Sequence, residues 1–154
     1  MTADRSESLA EKLARAPAKV LVVEDDTTLA MAVEQIVADL GYVPVVCVRG
    51  EDAVEKARDL RPELILMDVK LKGELTGIEA AEIIKHDELG CAIVFMTAYG
   101  EPDYAKRMRQ IAGASVMGKP LSEPMLRLIV REKLGLAGRH FERLPRRPET
   151  LLGS

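Results

Sequence analysis

Apolar runs of four to six residues recur along the middle of this chain, and stretches with helical periodicity separate them. The runs cover 20–23, 43–48, 64–67, 91–96 and 114–117, and the second is broken by Pro44. Continuous runs of this length are typical of strands that are buried on both faces of a parallel sheet. Between the first two runs, Leu29, Val33, Val37 and Leu40 share one face of a helix. The pattern therefore predicts five strands that alternate with five helices.

Such an alternation predicts an α/β fold with a doubly wound, five-stranded parallel sheet, because crossover connections are right-handed. The predicted helices begin near residues 27, 51, 78, 102 and 122, and the fourth extends to Ala112. We expect the strand order 2-1-3-4-5. In that order, ligand chemistry lies at the carboxyl ends of strands 1 and 3.

Composition narrows the class of protein. The chain has 154 residues, enough for one domain, and its net charge of −3 argues against a nucleic-acid-binding surface. No apolar run approaches the length of a membrane span, and no secretory signal is visible, so we expect a cytoplasmic protein without a membrane segment. Cys47 and Cys91 are expected to be buried, unpaired thiols, since strands 2 and 4 are not neighbours.

Acidic residues follow the two strands at which this fold places its site. Glu24, Asp25 and Asp26 come after the first strand, and Asp68 comes after the third. Carboxylates this close repel one another unless a cation neutralises them, and a hard cation such as Mg²⁺ prefers oxygen ligands. A helix cap is the alternative role for Asp26.

Thr97 and Lys119 follow the fourth and fifth strands and complete this set. Taken singly, a threonine in a turn and a surface lysine need no functional explanation. At the same edge as the acids, they offer a hydroxyl donor and an ammonium that suit an anionic ligand.

Four motifs in order resemble the receiver domain of bacterial two-component response regulators. They are Val-Leu-Val-Val-Glu-Asp-Asp at 20–26, Leu-Ile-Leu-Met-Asp at 64–68, Phe-Met-Thr-Ala-Tyr at 95–99 and Gly-Lys-Pro at 118–120. The resemblance implies a flavodoxin-like or CheY-like (βα)5 fold. We expect a receiver domain over 19–137, an N-terminal extension over 1–18 with a short helix as one option, and an Arg-rich tail over 138–154.

The resemblance also implies a role for each site residue. Asp68 is the implied phosphoacceptor, and its donor is a sensor histidine kinase or a histidine phosphotransfer protein. Thr97 and Lys119 are the implied ligands of the phosphoryl oxygens, and the Lys119–Pro120 peptide bond is expected to be cis. The implied Mg²⁺ ligands are Asp25 and Asp68 directly, Glu24 through water, and the backbone carbonyl of Lys70.

The chain departs from the family at Val116, where receivers usually carry Tyr or Phe. Either Val116 is simply a strand residue, or another element transmits the signal. Residues 95–100 are similar to the Phe-Ala-Thr-Gly-Tyr-Gly motif of an atypical receiver subgroup, with Met96 and Ala98 substituted. This points to Tyr99 as the switch residue and predicts that phosphorylation shifts the region 99–108. Tyr99 and Lys70 border the site and are expected to tune the phosphoryl lifetime, although a solvated lysine is the alternative for Lys70.

We expect a stand-alone receiver, which is not an enzyme beyond its own phosphorylation and dephosphorylation. It would signal by phosphorylation-dependent protein interaction with an unknown downstream partner, or act as a phosphate shuttle or sink. The 20 residues from 135 onward are too few for a DNA-binding domain. Dimerisation through the fourth helix, fifth strand and fifth helix, or through the N-terminal extension, is left open.

Two other functions compete with this hypothesis. A non-phosphorylated pseudo-receiver would lack an acid, the threonine or the lysine, and none is missing here. A haloacid-dehalogenase-like aspartyl phosphatase usually carries Asp-x-Asp, and here Lys70 stands at the position of the second acid.

Overall fold

The structure is a computed structural model that describes Ser8 and residues 16–87, 89–98 and 102–135. Most of the predicted N-terminal extension, the whole Arg-rich tail and Tyr99 lie outside the described residues. Among those that are described, no helix is long and apolar enough to cross a membrane.

Five parallel strands form one sheet in the order β2-β1-β3-β4-β5, which confirms the predicted α/β class and strand order. The strands are β1 (Lys19–Val23), β2 (Val43–Cys47), β3 (Leu64–Asp68), β4 (Ala92–Ala98) and β5 (Ala114–Lys119). The helices are α1 (Thr27–Asp39), α2 (Gly50–Leu60), α3 (Gly77–His86), α4 (Pro102–Arg109) and α5 (Glu123–Gly135).

The central strands are buried on both faces because their side chains alternate between two cores. Leu21 and Val23 of β1 face the core covered by α2, α3 and α4. Val20 and Val22 face the opposite core, which α1 and α5 cover. This alternation explains why the strands have continuous apolar runs rather than a polar face.

Helix ends follow from local chemistry. Asp26 is the N-cap of α1, since its Oδ1 accepts a hydrogen bond from the Leu29 N–H at 3.1 Å. The cap alternative for Asp26 is therefore the one found. The fourth helix ends at Arg109 and not at Ala112, because the Ile111 N–H bonds to the Met108 carbonyl three residues back, at 3.1 Å, and tightens the chain into a turn.

Both cysteines are buried, free thiols, as expected. Cys47 ends β2 and Cys91 precedes β4, and β1 and β3 lie between these two strands. Burial, with a smaller effect from the charge of Asp52, raises the pKa of the Cys47 thiol to about 11. This thiol therefore stays protonated at neutral pH.

The sheet register brings the strand ends together at one edge. Val23 is paired with Met67, Asp68 with Met96, and Thr97 with Gly118. These pairs lie at or near the carboxyl ends of their strands, so the strands end at the same edge of the sheet. This edge carries the candidate site.

Gly77 holds the start of α3 against the end of β3. Its N–H donates to the Val69 carbonyl at 2.8 Å, and a Cβ at this position would overlap the Asp68 backbone carbonyl. Only glycine allows this approach, so the backbone of Asp68 and the α3 N-terminus depend on it.

We expect Gly77→Ala to lower the free energy of unfolding by roughly 2–4 kcal/mol, because the backbone must move to admit the methyl group. Gly135→Ala at the end of α5 is the control, since nothing lies within 4 Å of a Cβ there. Its effect should stay within about 1 kcal/mol. Urea denaturation measures both, and equal stability of the two variants would contradict the close approach.

Candidate functional site

Three carboxylates converge at the edge where β1 and β3 end. Glu24, Asp25 and Asp68 each offer an oxygen, and these oxygens lie within 4.8 Å of one another. Glu24 is only 1% exposed and Asp68 only 6%, whereas Asp25 is partly exposed. Buried carboxylates at this spacing repel one another and are costly unless positive charge neutralises them.

Lys119 supplies part of that positive charge from the end of β5. Its Nζ lies 3.0 Å from Glu24 Oε1 and 3.2 Å from Asp68 Oδ1, so a single ammonium bridges two acids. Although partial burial opposes it, the hydrogen bond to Glu24 and the charge of Asp68 raise the pKa of Lys119. The ammonium therefore stays charged, but it leaves the three acids with a surplus of negative charge.

Burial and the neighbouring acid both act on the pKa of Asp68. Burial first, and then the neighbouring charge of Glu24, raise the pKa of Asp68 from 3.8 to about 6, and Lys119 opposes the shift. A bound cation beside Asp68 would favour its ionised form.

The donor set fits Mg²⁺. All three donors are carboxylate oxygens, which a hard divalent cation prefers, and Lys119 neutralises only part of their charge. Two backbone N–H groups hold the first two acids in place. The Asp26 N–H donates to Glu24 Oε2 at 3.1 Å, and the Lys72 N–H donates to Asp25 Oδ2 at 3.1 Å.

Three of the remaining predicted site residues, Thr97, Lys70 and Val116, lie within the described part of the chain. The Thr97 hydroxyl donates to the Ala98 carbonyl at 3.2 Å, so it is turned toward its own backbone. Lys70 is exposed, two residues beyond Asp68, and Val116 on β5 is 48% exposed. The Lys119–Pro120 peptide bond is cis, as the resemblance implies. Tyr99 lies outside the described residues.

Sequence analysis missed how the loop between β3 and α3 is attached beside the site. The Lys72 N–H donates to Asp25 Oδ2 at 3.1 Å, and the Glu74 N–H donates to Glu51 Oε2 at 3.4 Å. An isolated parallel bridge pairs Lys72 with Arg49. These contacts could not be predicted from the sequence, because the pattern around Glu51 indicates only an acid in the first turn of a helix.

Asp68→Asn should stabilise the protein in EDTA at pH 7.5, by on the order of 1–2 kcal/mol. The folded state binds a proton on Asp68 below about pH 6, whereas the unfolded chain releases it near 3.8. Stability is therefore lost as pH rises through this window, and asparagine avoids that loss.

Denaturant titrations at pH 7.5 and pH 5 measure the effect, and the advantage of the variant should shrink at pH 5. Asp59→Asn, which removes an exposed acid of α2, controls for the loss of one negative charge. An advantage of Asp68→Asn that is the same at both pH values would contradict the raised pKa.

Comparison with known proteins identifies the family to which this chain is similar. The family model for the response regulator receiver domain matches residues 20–131. The polar-differentiation response regulator DivK of Brucella anthropi is 29% identical over 121 residues, which are 77% of this chain and 98% of DivK.

Other relatives are longer. The response regulator GacA of Pseudomonas syringae is 33% identical over 103 residues, so the match covers 66% of this chain and about half, 48%, of GacA. A CheY-like response regulator receiver domain from Methanospirillum hungatei superposes with a TM-score of 0.75 at 24% identity, and the match covers 81% of this chain and 99% of that one. That likeness supports the fold alone. With the matched residues spanning all five strands, the chain belongs to the response regulator receiver domain family.

Proposed function

We propose that this protein accepts a phosphoryl group on Asp68 from a sensor histidine kinase or a histidine phosphotransfer protein. Receiver domains are phosphoacceptors of two-component systems rather than enzymes that turn over a substrate. The observation that carries the proposal is the Lys119 ammonium, which lies 3.0 Å from Glu24 and 3.2 Å from Asp68 beside a third carboxylate. A purely structural role would not need three acids around one cation.

In the proposed transfer, an Asp68 carboxylate oxygen attacks the phosphorus of a phosphohistidine. A phosphorus–oxygen bond forms, the phosphorus–nitrogen bond breaks, and the donor imidazole leaves with the electron pair and takes up a proton. Positioning and charge compensation dominate such transfers. Lys119 is already within reach of Asp68, and we assign to a phosphoryl oxygen the Thr97 hydroxyl, which donates to the Ala98 carbonyl in the unphosphorylated protein.

Receiver domains bind Mg²⁺ at an acidic pocket, and we assign its ligands here to Asp25 and Asp68, to Glu24 through water, and to the backbone carbonyl of Lys70. A bound Mg²⁺ supplies positive charge against both carboxylate and phosphoryl oxygens. The orientation of Asp25 by the Lys72 N–H supports this assignment.

The side chains of Lys119 and Lys70 argue against the competing functions. A pseudo-receiver has no use for the ammonium that Lys119 holds between two buried acids. An aspartyl phosphatase of the haloacid-dehalogenase type needs a second acid, where this chain has the exposed side chain of Lys70.

We further propose that the phosphorylated protein signals through protein interaction or passes the group on as a shuttle or sink, in the cytoplasm. The match to 98% of the length of the response regulator DivK supports a function that the receiver domain itself carries. The domain boundary 19–137 is supported by β1, which begins at Lys19, and by α5, which ends at Gly135. The proposal includes a downstream protein partner. It also includes dimerisation, either through α4, β5 and α5 or through the N-terminal extension.

Acetyl phosphate with Mg²⁺ should phosphorylate the wild-type protein and leave Asp68→Asn unlabelled, as gel mobility or intact mass would detect. Asp25→Asn should slow labelling at least tenfold, because the proposed metal site loses a charge. Asp26→Asn is the matched control, since asparagine also caps helices, and it should label at the wild-type rate. Labelling of Asp68→Asn that equals the wild type would refute the proposal.

The signal should travel through residues 99–108 rather than through Val116. Val116 is 48% exposed on the edge strand β5, whereas Met108 is buried and Tyr104 is partly buried against the core. Helix α4 is also tied to α3 by an exposed ion pair, Arg107 Nη2 to Glu82 Oε1 at 2.8 Å. Exposed pairs of this kind contribute little and break easily.

Amide NMR spectra with beryllofluoride as a phosphoryl mimic test this. We expect large chemical-shift changes over 99–108 and small ones at Val116. The reverse pattern would contradict Tyr99 as the switch residue. Tyr99→Ala should also shorten the phosphoryl half-life, because the ring would otherwise obstruct attacking water.

A further inference from the structure

The loop between β3 and α3, residues 69–76, runs directly beside the proposed metal site. It carries Lys70, whose carbonyl we assign as a ligand, and Lys72, whose N–H donates to Asp25 Oδ2 at 3.1 Å. The position of this loop therefore affects two of the four proposed protein ligands at once.

Glu51, in the first turn of α2, attaches this loop from the other side. Its Oε2 accepts a hydrogen bond from the Glu74 N–H at 3.4 Å. Hydrogen bonds from backbone N–H groups, first that of Glu51 itself and then those of Glu74 and Leu75, lower the pKa of the Glu51 carboxyl. Burial raises this pKa and opposes part of the shift. Arg49 Nη1 lies 4.0 Å from the same oxygen, and the Arg49 side chain is exposed while that of Glu51 is partly buried, so this long pair contributes little.

The loop backbone is shaped to receive the Glu51 carboxylate. Gly73 adopts a φ of +100°, and a Cβ there would lie 2.8 Å from Glu51 Oε2. Gly50, next to Glu51, approaches the loop equally closely, since its Cβ would lie 2.9 Å from the Leu75 carbonyl oxygen. Two glycines thus leave the space that a carboxylate and a backbone turn fill.

One oxygen of this carboxylate can accept a further hydrogen bond. Glu51 Oε1 is buried and has no hydrogen-bond partner among the described residues. A first-turn acid that served only the helix dipole would point to solvent. The Glu51 carboxylate instead accepts a hydrogen bond from the β3–α3 loop, which also contacts Asp25 of the site.

We propose that Glu51 is a positioning residue, which holds the β3–α3 loop in the conformation that binds Mg²⁺. The inference rests on the proposed function, because it concerns the same metal site. Without this attachment the loop samples more conformations, and metal binding must then bear the entropy of ordering it. Loss of one hydrogen-bonded attachment should weaken Mg²⁺ binding by about three- to tenfold.

Three variants separate position from charge. Glu51→Asp keeps the charge and shortens the side chain by one methylene, so the carboxylate no longer reaches the loop. Glu51→Ala removes both charge and reach. Asp52→Ala is the control, because Asp52 belongs to the same first turn but its charge acts on Cys47.

Calorimetric titration with Mg²⁺ alone measures the affinity of the full chain. We expect about three- to tenfold weaker binding for Glu51→Asp and Glu51→Ala, and an unchanged affinity for Asp52→Ala. Phosphorylation by acetyl phosphate should be slow at limiting Mg²⁺ in both Glu51 variants and return to within about twofold of wild type at saturating Mg²⁺. Amide exchange should accelerate at Lys72 and Glu74.

Unchanged Mg²⁺ affinity in Glu51→Asp would overturn the proposal, and so would an equal loss in Asp52→Ala. If Glu51→Ala does not fold, Glu51→Asp and Gly73→Ala, which displaces the carboxylate from the loop side, carry the test. The metal titration is independent of phosphorylation. Wild-type protein whose Mg²⁺ affinity depends on Glu51 but which accepts no phosphoryl group would refute the proposed function and leave the role of Glu51 intact.

Discussion

The Lys119 ammonium between Glu24 and Asp68 is the interaction on which the rest of the site depends. It joins side chains from the ends of β1, β3 and β5, which the sheet holds at one edge, and it lowers the cost of burying two acids. It also leaves the charge unbalanced, since Asp25 adds a third carboxylate within 4.8 Å. A buried cluster with excess negative charge stabilises a bound divalent cation and is destabilised without one.

The fold builds this imbalance from ordinary parts. Parallel strands that are buried on both faces fix the positions of the strand ends, and the acids lie where the strands end and the loops begin. Gly77 brings the start of α3 against Asp68, and Asp26 caps α1 while its N–H bonds to Glu24. Backbone N–H groups outside the cluster thus orient the carboxylates of Glu24 and Asp25, and the β3–α3 loop connects this arrangement to Glu51.

Much of this could be predicted from the sequence because it rests on periodicity and on strand ends. The apolar runs predicted the five strands and their order, and Glu24, Asp25, Asp68 and Lys119 lie together at one edge, as expected from the motifs. The end of α4 was misjudged at Ala112, because a tight turn at 110–113 keeps Ile111 buried after the helix has stopped. The contact between Glu51 and Glu74 could not be predicted, since it joins the first turn of α2 to the β3–α3 loop, and only the packed structure fixes how closely these two segments approach.

The proposed function depends on Asp68 as the residue that accepts the phosphoryl group. Reduction of the acetyl phosphate-treated protein with borohydride converts an aspartyl phosphate to homoserine, and peptide mass spectrometry then locates the converted residue. The account predicts homoserine at position 68, dependent on Mg²⁺ and absent when acetyl phosphate is omitted. Homoserine at another acid, or none at position 68 in folded protein with Mg²⁺, would contradict it.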